Sequence, residues 1–183
     1  MRSTRYTPGA SEKQEQEPSR FLVENLELLS RGKVLDVAMG AGRNSIYLAR
    51  QGFAVEGVDI SAEAVQQASQ QAEIEGLTIK AQIGDLEKDY AIPAQIYDVI
   101  ICFNYLQRSL IPQIKNGLKK SGMVVYETFI VDQAELFGRP SNPAFLLEHN
   151  ELLEMFRDFR VLLYREGIVE NSRAIASLIA QKN

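Results

Sequence analysis

Apolar positions in this chain fall into short continuous runs that alternate with stretches of helical spacing, beginning near residue 33. Residues 33–38 form an apolar run suited to a strand buried on both faces. From Arg43 the spacing turns helical, with Ile46, Leu48 and Ala49 apolar and Gly52 a natural stop. A second strand over residues 54–59 closes on Asp59, Ser61 predicts the N-cap of a helix reaching Glu75, and Gly76 ends it. Residues 77–83, 97–103 and 123–129 predict the third, fourth and fifth strands, with a crossover helix over 110–119 and a turn at Ser121 and Gly122 before the fifth. Strand alternating with helix predicts an α/β fold with a parallel sheet covered on both faces.

Both ends break this rhythm. Residues 19–30 carry Phe21, Leu22, Leu26, Leu28 and Leu29 at helical spacing, which predicts a helix packed beside the first strand. At the other end residues 150–156 read as a helix, while 159–165 and 173–179 are strand-like and too closely joined for a crossover, so they predict an antiparallel pair. Residues 1–19 are polar, hold two prolines and show no apolar period; they read as a flexible arm, either a plain leader or a cover over a bound cofactor. The 183 residues, 45% hydrophobic, suffice for one sizeable core, so residues 20–183 are expected to form a single domain.

The chemistry concentrates at the first turn. Gly40 and Gly42 follow the first strand and let a ligand lie against bare backbone, and the free N–H groups of the helix from Arg43 welcome a carboxylate or phosphate. Asp59, at the end of the second strand, can accept hydrogen bonds from the vicinal hydroxyls of a ribose. A dinucleotide site wants Gly-x-Gly-x-x-Gly, yet the third place here is Ser45, and Asp36 puts a charge inside the first strand. An acid there suits a cofactor bearing ammonium and sulfonium groups, and S-adenosylmethionine fits better than NAD.

The segments 34–44, 55–61 and 84–86 resemble motifs I, II and III of the class I S-adenosylmethionine-dependent methyltransferases. Within them, the run Ala-Met-Gly-Ala-Gly-Arg-Asn-Ser-Ile-Tyr-Leu-Ala resembles the small tellurite-resistance-type branch. The usual first glycine is Ala38 here. The resemblance implies a Rossmann-like three-layer sandwich whose seven-stranded, mostly parallel sheet runs 3-2-1-4-5-7-6 with an antiparallel last strand. It also implies that Asp36, Ala38, Gly40 and Gly42 form the cofactor turn with Arg43 and Asn44, that Asp59 holds the ribose beside Ile60, and that Asp85 and Leu86 border the adenine, with Phe103 alongside.

In such sheets the acceptor lies beyond the carboxyl ends of strands four and five. Asn104, Tyr105 and Glu127 stand there as candidates for catalysis, each with a structural alternative as loop tie, packing ring or buried carboxylate. Arg108, Arg139 and Asn142 are candidates for holding substrate, the last two in the long connection 130–147, read either as a substrate cover or as a surface excursion packed by Phe137 and Phe145. Cys102 reads as core and His149 as surface.

Composition narrows the partners. A net charge of −4 without a dense basic block disfavours nucleic acid, and no apolar run approaches the ~20 residues of a membrane span. A single cysteine excludes an internal disulfide and a cysteine-based zinc site, so no metal is expected, and without a signal-peptide pattern the chain reads as cytoplasmic. The resulting expectation is a methyltransferase for a small molecule, the resemblance suggesting a thiol or a chalcogen or metalloid compound. A protein or RNA methyltransferase and a catalytically silent cofactor-binding scaffold are the alternatives, and the oligomeric state is left open.

Overall fold

The computed structural model describes residues 17–170 and 172–183. Most of the expected arm, residues 1–16, lies outside the described residues. Its last three residues are described, and Ser19 is buried against the domain.

Seven strands form one sheet: β1 (Lys33–Val37), β2 (Ala54–Asp59), β3 (Ile79–Ile83), β4 (Tyr97–Phe103), β5 (Leu118–Phe129), β6 (Arg160–Val169) and β7 (Arg173–Gln181). Their spatial order is β3-β2-β1-β4-β5-β7-β6, with β7 antiparallel to both of its neighbours and the other pairs parallel. The order implied by the family resemblance and the antiparallel tail are therefore both present. The helices are α1 (Arg20–Glu24), α2 (Arg43–Arg50), α3 (Ala62–Ile74), α4 (Ile111–Gly117), α5 (Asp132–Phe137) and α6 (Glu151–Met155).

Side chains alternate along a strand, so each strand feeds two cores. Leu35, Val37, Ile100, Cys102, Val124 and Tyr126 pack on one face against Ile111 and Ile114 of α4 and Leu152 of α6. Val34, Val55, Val99, Ile101 and Val125 pack on the other against Phe21 and Leu22 of α1 and Leu48 of α2. Most sheet-facing positions of the central strands are consumed by one core or the other; the buried exceptions Asp36 and Glu127 lie toward the carboxyl ends of β1 and β5.

Several boundaries differ from those read in the sequence. The expected helix over 19–30 stops at Glu24, where the Asn25 side chain donates to the Phe21 carbonyl, and the chain continues as a 3-10 turn, Leu26–Leu28. The third strand begins at Ile79 because the Leu77 N–H closes α3 on the Ala72 carbonyl, with Gly76 in the left-handed region. The expected turn at Ser121 and Gly122 lies inside β5, whose register slips between Tyr97↔Leu118 and Val99↔Met123. This bulge survives because Lys182 pairs with it, donating to Gly122 and accepting from Ser121. It also shortens the crossover helix to α4.

The connection 130–147 is not structureless. Its ends are bridged, Val131 donating to Leu147 and Leu147 to Phe129, and it holds α5 and a 3-10 turn, Pro143–Phe145. Gln133, buried, ties it to the sheet by accepting from the Ala174 N–H and donating to the Arg139 carbonyl.

Phe21 anchors α1 on the sheet, with the Arg165 guanidinium carbon above its ring at 4.7 Å from the centroid. Replacing Phe21 by Ala is expected to cost about 3–5 kcal/mol, as for other buried aromatics. Urea unfolding checks this; a cost below about 1 kcal/mol would mean that α1 contributes little to the core.

Candidate functional site

The carboxyl ends of β1 and β4 meet at the switch point of the sheet, where the strand order reverses. Three residues after β1 have left-handed backbones, Ala38 (φ 54), Gly40 (φ 56) and Gly42 (φ 80). The turn is held at three places. Met39 donates to the Val58 carbonyl, Gly40 donates to Asp59 Oδ2 at 2.8 Å, and Gly42 donates back to the Met39 carbonyl. Asp59 Oδ1 accepts from the Ser61 N–H at 2.9 Å, so one carboxylate fixes both the first turn and the entry to α3.

The two glycines serve different ends. A Cβ on Gly42 would come within 2.7 Å of Ala68 Cβ on α3, whereas one on Gly40 would meet nothing within 4 Å. Gly42 therefore permits close helix packing, and Gly40 leaves open space above the backbone. Two residues that were not among the expected site residues complete the arrangement: Met39 seats its sulfur in the gap over Gly57, and Ser45 donates its hydroxyl to Asp36 Oδ2 at 2.7 Å. Asp36 is only 2% exposed, and burial pushes its carboxyl up to about 7, against the opposing pull of the Ser45 hydroxyl and the Arg43 charge.

Asp85 closes the far side. Its carboxylate accepts from the Glu87 N–H and pairs with Lys88, and the Glu87 bond leads in holding its pKa below the ordinary value. Ile60 is exposed at the end of β2, while Leu86 and Phe103 are buried. Tyr105 reaches toward the same region: burial raises its phenol to about 12, and the charges of Glu87, Asp85 and Asp59 add to the effect. Its carbonyl accepts from the Tyr126 hydroxyl.

Beside the turn opens a cleft of about 1030 Å³ with Glu127 and Asn104 in its wall. Glu127 is 2% exposed and gathers four partners from distant parts of the chain. Oε2 accepts from Ser177 at 2.8 Å and from Arg165 at 3.4 Å. Oε1 accepts from Ser19 at 3.4 Å and lies 3.7 Å from Arg173 Nη1. Ser19 in turn donates its N–H to Asn44 Oδ1 at 2.8 Å, and Arg43 donates to the Glu17 carbonyl. The segment just before α1 thus joins the glycine turn to the cleft. Asn104 has a left-handed backbone (φ 56), donates its N–H to the Glu127 carbonyl and accepts from Arg173 at its side-chain oxygen.

The expected residues divide sharply. Asp36, Ala38, Gly40, Gly42, Arg43, Asn44, Asp59 and Ile60 gather around the turn, and Asn104 and Glu127 meet in the cleft. The three expected substrate holders do not line the cleft. Arg108 is committed to Glu151 and to the carbonyls of Ala144 and Leu146; Asn142 caps the 3-10 turn through the Ala144 N–H; Arg139 is exposed on the connection. Each braces or decorates residues 130–147. His149 lies at the surface, bonded to Asp132 at 2.7 Å, which raises its pKa. The cations beside Glu127 and Asn104 are instead Arg165 and Arg173 on β6 and β7, which nothing in the local sequence marks; Arg20 and Arg43 also line the cleft.

Comparison with known proteins bears on this geometry. Residues 13–177 match the family described as tellurite resistance protein TehB. The chain belongs to the TehB family. It is 29% identical over 154 residues to the probable S-adenosyl-L-methionine-dependent methyltransferase TehB of Haemophilus influenzae, covering 81% of this chain and 53% of that protein. A ubiquinone biosynthesis O-methyltransferase of Coxiella burnetii is 36% identical over 120 residues, 61% of this chain and 50% of its own length. The chain thus spans about half the length of these curated relatives. The crystal structure of Haemophilus influenzae TehB superposes with a TM-score of 0.75 at 26% identity, over 89% of this chain and 62% of that one. Among the described residues no helix is long and apolar enough to cross a membrane.

Two outcomes are expected of this TehB-family turn. Because the Asp36 carboxyl sits near 7 when folded and near 3.8 when free, the folded protein keeps a proton that the unfolded chain has released between these values. Stability from this group therefore falls as pH rises through that window. Asp36→Asn should gain about 3–5 kcal/mol over the native protein between pH 4 and 7, read by urea unfolding across pH. A constant difference would refute the buried charge. Separately, Gly42→Ala should cost about 2–4 kcal/mol from left-handed strain plus overpacking, and Gly40→Ala about 1–2 kcal/mol from strain alone. Equal costs would remove the α3 contact from the account.

Proposed function

We propose that this chain is a cytoplasmic S-adenosylmethionine-dependent methyltransferase that holds its cofactor across the ends of β1 and β2 and a small acceptor in the adjoining cleft. The observation that carries the reading is the turn from Ala38 to Gly42, with the Gly40 N–H on Asp59 and open space above Gly40. A cofactor can approach the backbone there. Asp59 still has lone pairs for ribose hydroxyls after receiving two backbone N–H groups, since each carboxylate oxygen accepts more than one bond. Asp36 favours a ligand that brings positive charge, because a cation over the turn relieves the cost of its buried carboxylate. Asp85, Ile60 and Leu86 supply an acid and apolar surface where the adenosine would end.

When bound, this cofactor supplies a methyl group already activated by its sulfonium. The chain then has to align the acceptor with that methyl and exclude water. Glu127 is poorly suited to act as a base, because both its oxygens are engaged by hydroxyls and guanidinium groups. It positions Arg165 and Arg173 instead. An acceptor that already carries its electron pair, a thiolate or a chalcogen oxyanion, needs no base; the cleft wall balances four arginines with four glutamates, and Arg173 beside Asn104 offers such an acceptor a local positive charge. A cleft of about 1030 Å³ has room for a small acceptor beside the turn.

Calorimetry tests the cofactor assignment. S-adenosylhomocysteine should bind and NAD should not, and Asp59→Ala should weaken S-adenosylhomocysteine by at least tenfold, equivalent to about 1.4 kcal/mol. Tighter binding of NAD, or unchanged affinity in the variant, would overturn the reading.

A further inference from the structure

The amide of Asn104 has two ends with opposite chemistry, and the structure determines which end each neighbour sees. Arg173 Nη2 lies 2.7 Å from the side-chain oxygen of Asn104. A guanidinium is a donor only, so the atom it meets must be the amide carbonyl. Arg173 is itself fixed on three sides: its guanidinium carbon lies 5.3 Å from the centroid of the Phe129 ring, Nη1 lies 3.7 Å from Glu127 Oε1, and Nη2 holds Asn104. The backbone of Asn104 is fixed as well, its N–H donated to the Glu127 carbonyl at 2.8 Å.

We propose that Arg173 is a specificity-determining positioning residue: by holding the Asn104 carbonyl it leaves the amide N–H groups for the acceptor, so the cleft selects molecules that present an electron pair and rejects those that present N–H. This rests on the methyltransferase reading above. With the amide locked in this sense, Asn104, Arg165 and Arg173 all offer donors. Of the carboxylates lining the cleft, Glu127 is the one in contact with these donors, and its oxygens are engaged by Ser19, Ser177, Arg165 and Arg173; Glu17, Glu24 and Glu170 also line the cleft, the last two paired with Arg20. An amine placed against these three side chains would set N–H against N–H, whereas a thiolate or oxyanion would accept from them. An amine methyltransferase would need the opposite orientation, with the Asn104 carbonyl turned toward the acceptor. Arg173 withholds that carbonyl.

Two ring compounds of matched shape test this, benzenethiolate and aniline, titrated by NMR into protein saturated with S-adenosylhomocysteine. Benzenethiolate is expected to bind at least tenfold more tightly than aniline. Arg173→Leu, which unlocks the amide, should reduce that ratio below threefold. Asn104→Gly, which suits the left-handed backbone and keeps the charge of Arg173, should reduce it as well. A ratio that persists in Asn104→Gly would overturn the proposal, because charge alone would then account for the preference. Equal binding of the two compounds by the native protein, or binding of neither, would overturn it too. Failure to bind S-adenosylhomocysteine at all would instead refute the methyltransferase reading beneath it.

Discussion

The hydrogen bond from the Gly40 N–H to Asp59 Oδ2 is the constraint on which the site depends. Parallel strands can sit side by side and still leave their exit loops free to diverge. Here the turn after β1 is tied to the last residue of β2, and the other oxygen of the same carboxylate holds Ser61 at the entry to α3. The Ser61 hydroxyl then accepts from the Ala64 N–H, so α3 starts from a fixed point. From that point α3 brings Ala68 against Gly42, and this contact sets how closely α2 can approach. A single carboxylate thus orders two loops and two helix starts.

Asp36 and Glu127 are two buried carboxylates solved in opposite ways. Both lie on the sheet face covered by α1 and α2, and both are almost without solvent. Asp36 has a hydroxyl as its hydrogen-bonding partner, and burial dominates its titration. Glu127 has two arginines and two hydroxyls, a set that compensates a charge where one hydroxyl cannot. The contrast matters chemically: the first carboxylate is left in need of positive charge, while the second has spent its own on holding positive charge in place. Net charge conceals this, since a chain at −4 still gathers two guanidinium groups at one wall of a cleft.

Elements defined by their own residues were legible in the sequence. The runs 54–59 and 97–103 became β2 and β4 with the same ends, Ser61 capped α3, and Gly76 ended it. Elements defined by distant partners were not. Nothing near Ser121 announces that Lys182 will satisfy the backbone of a bulge, so a turn was the natural reading. Arginine was the same problem in sharper form. Arg108 and Arg139 sit in loops near the active end of the sheet, which made them plausible holders of substrate, yet Arg108 braces α6 through Glu151. Arg165 and Arg173 sit in strands where no local pattern singles them out; they reach Glu127 because β7 pairs antiparallel with both neighbours and sets Ser177 opposite Glu127 and Arg165.

This difference in legibility follows from how the two halves of the site are built. The contacts that shape the cofactor turn join residues close in sequence: Ser45 and Asp36 are 9 apart, Gly40 and Asp59 are 19. Those that shape the cleft join residues 50, 69 and 108 apart. A contiguous strand, turn, helix and strand can carry its chemistry as a motif, and it does so regardless of what the rest of the chain supplies. A cleft assembled from Ser19, Asn104, Glu127, Arg173 and Ser177 has no such unit, because its contacts join distant parts of the chain. The turn is therefore legible as a motif and the cleft is not, because the cleft exists only after the sheet has formed.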